Sequence, residues 1–301
     1  MTNLYWSVYK NLEKELIRLS EYVHFDDDQL SIYSVKIAEL LIRCSVEIES
    51  ISKDLYIRLG GTIPSDSDLY FDTDCLQLIE DNWLLSKKKV ILAAPNFYFQ
   101  EDDNRVLNPL YKANRRGTSG ADWKKAYQAV KHNRVGNLTK GSIKNLVRAL
   151  AALYLLNIYF KEETYDLEKD SKATNLPTNM GSDLFAIKIH KWTSYDGEGN
   201  YRKNDDFDEC VYLTKWKKDS EEKVNAANQK MQKANIEFLL KHPKFLSWSK
   251  TNKIEDYRGN NLAWDVLGQE TYIQMIRQTS KETMDVHKSI EYEARINKKT
   301  I

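Results

Sequence analysis

Hydrophobic positions recur at helical spacing along most of the chain, and that recurrence predicts its elements. Residues 4–23 place Tyr5, Val8, Leu12, Leu16, Leu19 and Tyr22 on one stripe, which predicts a first amphipathic helix. The acidic cluster Asp26-Asp27-Asp28 follows as a turn. One of these aspartates is expected to cap the next helix, where a negative charge also suits the helix dipole. That helix, 29–59, carries Tyr33, Ile37, Leu41, Cys44, Ile48, Ile51 and Leu55 as one stripe and ends at Gly60-Gly61. Glu39 with Arg43, and Glu49 with Lys53, have the spacing of i,i+4 ion pairs on its solvent side, while Glu47 falls at the edge of the stripe. A polar loop, 64–73, and a short helix, 74–86, lead to the apolar run 90–94. Periodicity leaves that run open between a strand and a buried helical turn. Residues 95–120 are irregular and deliver Arg115 and Arg116 to the strongest signal in the chain.

That signal is 121–160, which reads as a helical hairpin. Trp123, Tyr127, Val130 and Arg134 share one stripe on the first arm, Gly136-Asn137 supplies the break, and Thr139 is a plausible N-cap for the second arm. From 143 to 160 that arm is apolar on nearly every face, so it should be a central, buried helix. Farther on, 183–192 and 208–215 alternate in part (Leu184, Ala186, Ile189; Cys210, Tyr212) and predict a β-hairpin around the polar loop Asp196-Gly197-Glu198-Gly199-Asn200. Residues 218–241 are helical up to His242-Pro243, 261–278 are helical again, and the charged tail from Ser280 is expected to fray. The fold class so predicted is mostly α, a helical bundle with a small β-hairpin insertion. Its expected parts are a helical core, 1–165, an insertion, 166–216, and C-terminal helices packing on the core, 217–301.

Composition narrows the picture. The 45 lysines and arginines against 44 aspartates and glutamates leave a charge of +1, which excludes a protein basic all over but allows a local basic patch. Eleven glycines and five prolines are few for 301 residues, favouring long helices over a turn-rich all-β fold. Cys44, Cys75 and Cys210 lie far apart, with no CxxC pair or Cys/His cluster, so no zinc site, other metal, cofactor or disulfide framework is indicated. The first residues lack the basic and apolar regions of a signal peptide, and the run 146–160 falls short of the ~20 residues of a membrane span. The expectation is a reducing, cytoplasmic setting with no membrane partner. No phosphate-binding glycine loop, GxSxG elbow or HExxH pair occurs.

Polar chemistry in the hairpin gathers at Lys131-His132-Asn133-Arg134. Cations beside an imidazole favour its neutral form, which can then act as a base near pH 7. An adjacent arginine can hold a phosphate in two hydrogen bonds and stabilise charge developing on it. Those are the parts of metal-independent RNA cleavage, in which the 2′-hydroxyl attacks the neighbouring phosphate. The residues so assigned are His132 as base, with Arg134 and Lys131 as phosphate-holding cations. Arg115, Arg116, Lys124 and Asn133 are assigned to substrate, with Glu47 and Tyr127 in support. The alternative is structural: Arg134 bridges to a carboxylate such as Glu47, His132 caps the turn, and the protein is a non-catalytic interaction or scaffold module. On an ideal helix Arg134 shares the Trp123/Tyr127 face while His132 points nearly opposite. They converge only if the helix loosens near Gly136 or a second subunit supplies one of them.

The long helix IYSVKIAELLIRCSVEIESISKDLY, followed by WKKAYQAVKHNR and an apolar helix, resembles the HEPN superfamily over about residues 30–160. The resemblance implies an all-helical domain that works as a homodimer. It also implies RNA as the partner of a toxin or phage-defence endoribonuclease, and leaves an activating protein or nucleotide as a further partner. Catalysis in that family uses an Arg, four to six residues, then a His. His132 stands in the histidine's place. Lys125, Ala126 and Tyr127 occupy the positions where the arginine would stand, and the nearby Arg134 follows the histidine instead.

Overall fold

In the computed structural model, which describes residues 4–191 and 204–298, the first two stripes become α1 (Leu4–Leu19) and α2 (Val35–Arg58). The cap of α2 is Ser34, whose hydroxyl accepts from the Ile37 N–H at 3.1 Å. No aspartate of the 26–28 turn serves there. Asp27 instead accepts from the N–H groups of Gln100 and Glu101 and from Asn104 Nδ2, tying that turn to a segment 73 to 77 residues farther along the chain. A π-helical turn, Phe71–Leu76, runs into α3 (Gln77–Trp83). The ambiguous run at 90 is a strand, β1 (Val90–Leu92), followed by α4 (Asp102–Arg105) and β2 (Val106–Leu107). The hairpin region forms α5 (Asp122–His132), α6 (Arg134–Asn137) and α7 (Ile143–Lys161).

Helix α7 packs most extensively against α2, and also against α1 and α5. Its Leu146, Leu150, Leu153 and Ile158 are all buried, as its all-round apolar sequence requires. By length and composition it could also cross a membrane, but 78% of that apolar window is enclosed in the molecule, the environment of a core helix. The buried stripe of α2, Ile37 through Leu55, faces it. Gly141 permits a close approach beside this packing, since a Cβ there would lie 2.6 Å from Ala38 Cβ.

The remaining strands are β3 (Tyr165–Glu168), β4 (Phe185–Ile187), β5 (Ile189–His190), β6 (Tyr212–Trp216) and, after the last helices, β7 (Tyr292–Ile296). They correct the expected fold class. Among the described residues 57% are helical and 10% are in strands, with two sheets, a mixed α/β architecture rather than a helical bundle carrying a hairpin. One sheet has the order β2-β1-β4, with both neighbours antiparallel to β1. The other has the order β3-β7-β6-β5, and in it β5 runs parallel to β6, with Ile189 opposite Tyr212. The segments read as two arms of one hairpin therefore never pair as a hairpin. The first splits at Lys188: Phe185–Ile187 joins β1, whereas Ile189–His190 joins β6. The loop motif Asp196 to Asn200 lies outside the described residues.

The chain divides into two units. The first comprises Met1–Tyr165, Lys172–Thr214 and Ala294–Ile301, and the second Asp166–Ser171 and Lys215–Glu293. The second unit contains α8 (Lys218–Lys241), α9 (Pro243–Trp248), α10 (Leu262–Leu267), α11 (Gln269–Thr279) and α12 (Lys281–Lys288). In it α8 packs on α11 and α12 around Val224, Ala227, Met275 and Thr283, while Lys217 bridges Asp166 and Glu291, each at 2.7 Å. Up to Lys298 the tail does not fray. It supplies α12 and β7, and the buried Asn297 donates to the carbonyls of Phe207 and Cys210 while its own carbonyl accepts from Tyr159.

Candidate nucleic-acid interface

The tetrad occupies a break between two helices. Helix α5 ends at His132, and Asn133 adopts φ −148°, ψ 82°, outside the helical region. Its Oδ1 accepts from the Gly136 N–H at 3.0 Å and so caps α6. The break thus falls before Gly136-Asn137, and Asn133, assigned to substrate from the sequence, is engaged as a cap. Lys131 places its amine 5.2 Å from the centre of the buried Tyr127 ring. Contact with that phenol holds the Lys131 amine above its ordinary pKa. His132 and Arg134 are both exposed, and neither side chain makes a hydrogen bond or ion pair among the described residues. The alternative in which Arg134 bridges to Glu47 is therefore not realised. Glu47 is half-buried on α2, and burial raises its carboxyl above the usual range against the lowering effect of Arg43.

A cleft of about 700 Å³ opens at the other end of α5. Its lining includes Lys124, Lys125 and Gln128 of α5, Glu49 and Lys53 of α2, the 69–72 segment and the 116–118 loop. Its floor is an ion pair: Asp72 and Lys124 are only 6% and 4% exposed, and Lys124 Nζ lies 3.0 Å from Asp72 Oδ2. Asp72 Oδ1 also accepts from Arg116 Nε at 2.9 Å and from the Thr73 N–H at 2.8 Å. Burial alone would raise the Asp72 carboxyl, but the hydrogen bonds from Lys124, Thr73 and Arg116 outweigh it and hold the group below the usual carboxylate range. Lys124 further donates to the carbonyls of Ala113 and Arg115. An ammonium has three donors, so none remains for a ligand. Lys124 is a positioning residue that fixes the arginine loop. Gly120 belongs to the same construction, since a Cβ there would lie 2.8 Å from the Arg115 carbonyl oxygen and 3.2 Å from Lys124 Cε.

Local sequence explains the opposite wall. Tyr70 accepts at its carbonyl from the N–H groups of Asp74 and Cys75, the second being the i→i+5 bond of a π-turn, and its own N–H donates to Asp74 Oδ2 at 2.8 Å. The Arg116 guanidinium then lies 3.6 Å from the centre of the Tyr70 ring, a cation–π contact. Glu49 and Lys53 were expected to pair across one helical turn; no ion pair joins them among the described residues, and both face this cleft.

Of the residues singled out from the sequence, Arg116 and Lys124 come together here, whereas His132 and Arg134 lie outside the cleft lining. Arg115 is exposed and contributes its carbonyl. Asp72 and Tyr70 escaped sequence reasoning, and Glu49 and Lys53 were read only as a solvent-side ion pair. The first two sit in what reads as a polar loop, 44 to 52 residues from the cations they meet, and no local pattern signals such a pairing. Among the described residues no cluster of three or more His, Cys, Asp or Glu side chains is placed to hold a metal ion. Set against family models, curated proteins and solved structures, the chain matches none of them.

Proposed function

We propose that this chain binds single-stranded RNA along the exposed side of α5, in keeping with the HEPN-like pattern of residues 30–160. The observation that carries the reading is a stripe: Lys125, Gln128 and His132 follow one another at i, i+3 and i+7, so they share one face of α5. That face starts at the cation-lined cleft and ends, about 10 Å farther by helical rise, at an exposed imidazole flanked by Lys131 and Arg134. A flexible polyanion matches such a run better than a rigid duplex, because its phosphates can follow one helix. The test is binding of a fluorescent single-stranded RNA at several salt concentrations. Each lost phosphate contact should reduce the slope of log K against log salt by about 0.7. Lys125→Glu with Lys131→Glu should weaken binding and flatten that slope. An equal affinity and slope in the double variant would sink the reading.

A second reading, cleavage of the bound RNA, is favoured by the exposed His132 imidazole, which has no hydrogen-bond partner among the described residues. In that reaction the imidazole takes the 2′-hydroxyl proton, the 2′-oxygen attacks the adjacent phosphorus, and the bond to the 5′-oxygen breaks as that oxygen takes a proton from water, which the imidazolium then restores. Products would be a 2′,3′-cyclic phosphate and a 5′-hydroxyl. Arg134 or Lys131 would hold the phosphate, with a second copy of the chain bringing Arg134 to His132. His132→Ala should end cleavage while RNA binding persists; wild-type protein that leaves bound RNA intact refutes this second reading and spares the first.

A further inference from the structure

We infer that the cleft over the Asp72–Lys124 pair is a binding site for a single nucleotide, taking its base and its phosphate together. The inference stands on the cleft alone and does not need the RNA reading. The accessible charge is the first reason. Asp72 is neutralised from within by Lys124, so the groups left to meet a ligand are Arg116, Lys53 and Lys125 against Glu49, an excess of cations. Lys125 is shared with the exposed Asp122 at 2.8 Å, and Lys53 has no ion-pair partner among the described residues. An anion is favoured there. The apolar wall is the second reason. Leu69, Tyr70 and Phe71 line the same cleft, and the Arg116 guanidinium already lies over the Tyr70 ring, 3.6 Å from its centre. Planar groups of that kind receive a nucleobase by stacking and, through arginine, a phosphate by paired hydrogen bonds.

Preorganisation is the third reason. Arg116 is held from below by Asp72, Asp72 by Lys124, and Lys124 by two backbone carbonyls of the same loop. Tyr70 is held by the π-turn. Little conformational freedom is left to lose when a ligand enters, which favours binding by a small molecule. Buried ion pairs do not by themselves stabilise a fold, and this one is spent on orienting an arginine beside a cavity. About 700 Å³ suits one nucleotide, within the usual range of about 300–1,000 Å³ for small-ligand sites. Such a nucleotide is either free in solution or the phosphorylated end of a strand.

Calorimetric titration of the full chain separates the components. AMP, GMP, CMP and UMP are the probes, with adenosine and inorganic phosphate as the halves. At least one mononucleotide should bind, with its nucleoside and inorganic phosphate each about tenfold weaker or worse, the size of one lost stack or one lost charged hydrogen bond. Tyr70→Ala and Arg116→Ala, both at exposed positions, should each weaken binding by about tenfold, while Lys131→Glu leaves it unchanged. A 5′-phosphorylated trinucleotide that binds more than tenfold tighter than the mononucleotide, and loses this with Arg116→Ala, identifies a strand end as the occupant; equal affinity identifies the free nucleotide. Absence of binding by all four mononucleotides and the trinucleotide at millimolar concentration overturns the inference. Binding indifferent to both Tyr70→Ala and Arg116→Ala does so as well. Neither outcome bears on RNA binding at the Lys131 end of α5, which Lys131→Glu tests by itself, outside the cleft lining.

Discussion

Two buried charged side chains show how differently one residue can be accommodated. Glu13 of α1 is fully enclosed, yet its carboxylate accepts from the Tyr9 and Ser182 hydroxyls, from the Asp183 and Leu184 N–H groups and from Lys10. Burial and the neighbouring Glu13 charge push the Tyr9 phenol well above its ordinary pKa, so the donor keeps its proton. Lys88 is 1% exposed and has no such set; its side chain makes no hydrogen bond or ion pair among the described residues. Burial pushes its amine down to about 8, against the opposing effects of Asp208, Cys210 and Glu80. In the unfolded chain a lysine titrates near 10.4. Between those values the unfolded state binds more protons than the folded one, so stability should rise with pH from about 8 to about 10.4. Below about 8 both states are charged and the full penalty is present. Chemical unfolding at pH 7 and pH 10 checks this: Lys88→Met should reduce the pH dependence and leave the protein no less stable at pH 7. A marked loss of stability at pH 7 in the variant would show that the ammonium is stabilised after all.

Helices in this protein are kept by packing rather than by propensity, and α7 is the plainest example. Fourteen of its nineteen residues are buried, and α2 provides its broadest contact. Leu150→Ala should therefore destabilise by about 2–5 kcal/mol, the range for emptying a leucine site in a packed core. Gly141→Ala tests the opposite error, overpacking. The added methyl would lie 2.6 Å from Ala38 Cβ and 2.9 Å from its Cα, so α2 would have to give way, at a cost of about 1–3 kcal/mol. Urea midpoints read both effects. A Leu150→Ala shift below about 1 kcal/mol would mean that α7 is not held as the packing implies. Short elements obey the same logic at smaller scale. A π-turn at Phe71–Leu76 and a cap at Asn133 are each sustained by a few hydrogen bonds, and those few bonds decide where the cleft opens and where α5 stops.

For the whole molecule, the cleavage reading carries a consequence for assembly. His132 and Arg134 flank the Asn133 break, and the cleft over the Asp72–Lys124 pair is lined by neither. Val135, beside Arg134, is 96% exposed, so a contact between copies that brings Arg134 to His132 would meet this side chain. A C2 dimer would present each group twice and allow His132 of one copy to meet Arg134 of the other. Light scattering at micromolar concentration should give twice the monomer mass, with an interface burying above about 1,000 Å² in total. Val135→Asp should shift the equilibrium toward monomer and remove cleavage while leaving single-chain nucleotide binding intact. A strict monomer at every concentration would eliminate the composite site.

The sequence by itself determined the helices that bury one side or all sides. The stripe from Ile37 to Leu55 and the apolar run of α7 were legible because helical periodicity is local: residues three or four apart share a face whatever the rest of the chain does. Arg116 and Lys124 were also picked out as cations near the hairpin, although Lys124 proves to be an internal support. Only tertiary structure decided the strands. Segments of two to five residues have too little pattern to name their neighbours, and Phe185–Ile187 and Ile189–His190, adjacent in sequence, went to different sheets. The cleft was likewise a tertiary outcome. Asp72 reads as one more acid in a polar loop until Arg116 and Lys124 arrive from 44 and 52 residues away, because hydrogen bonds between distant segments leave no periodic trace in the chain that makes them.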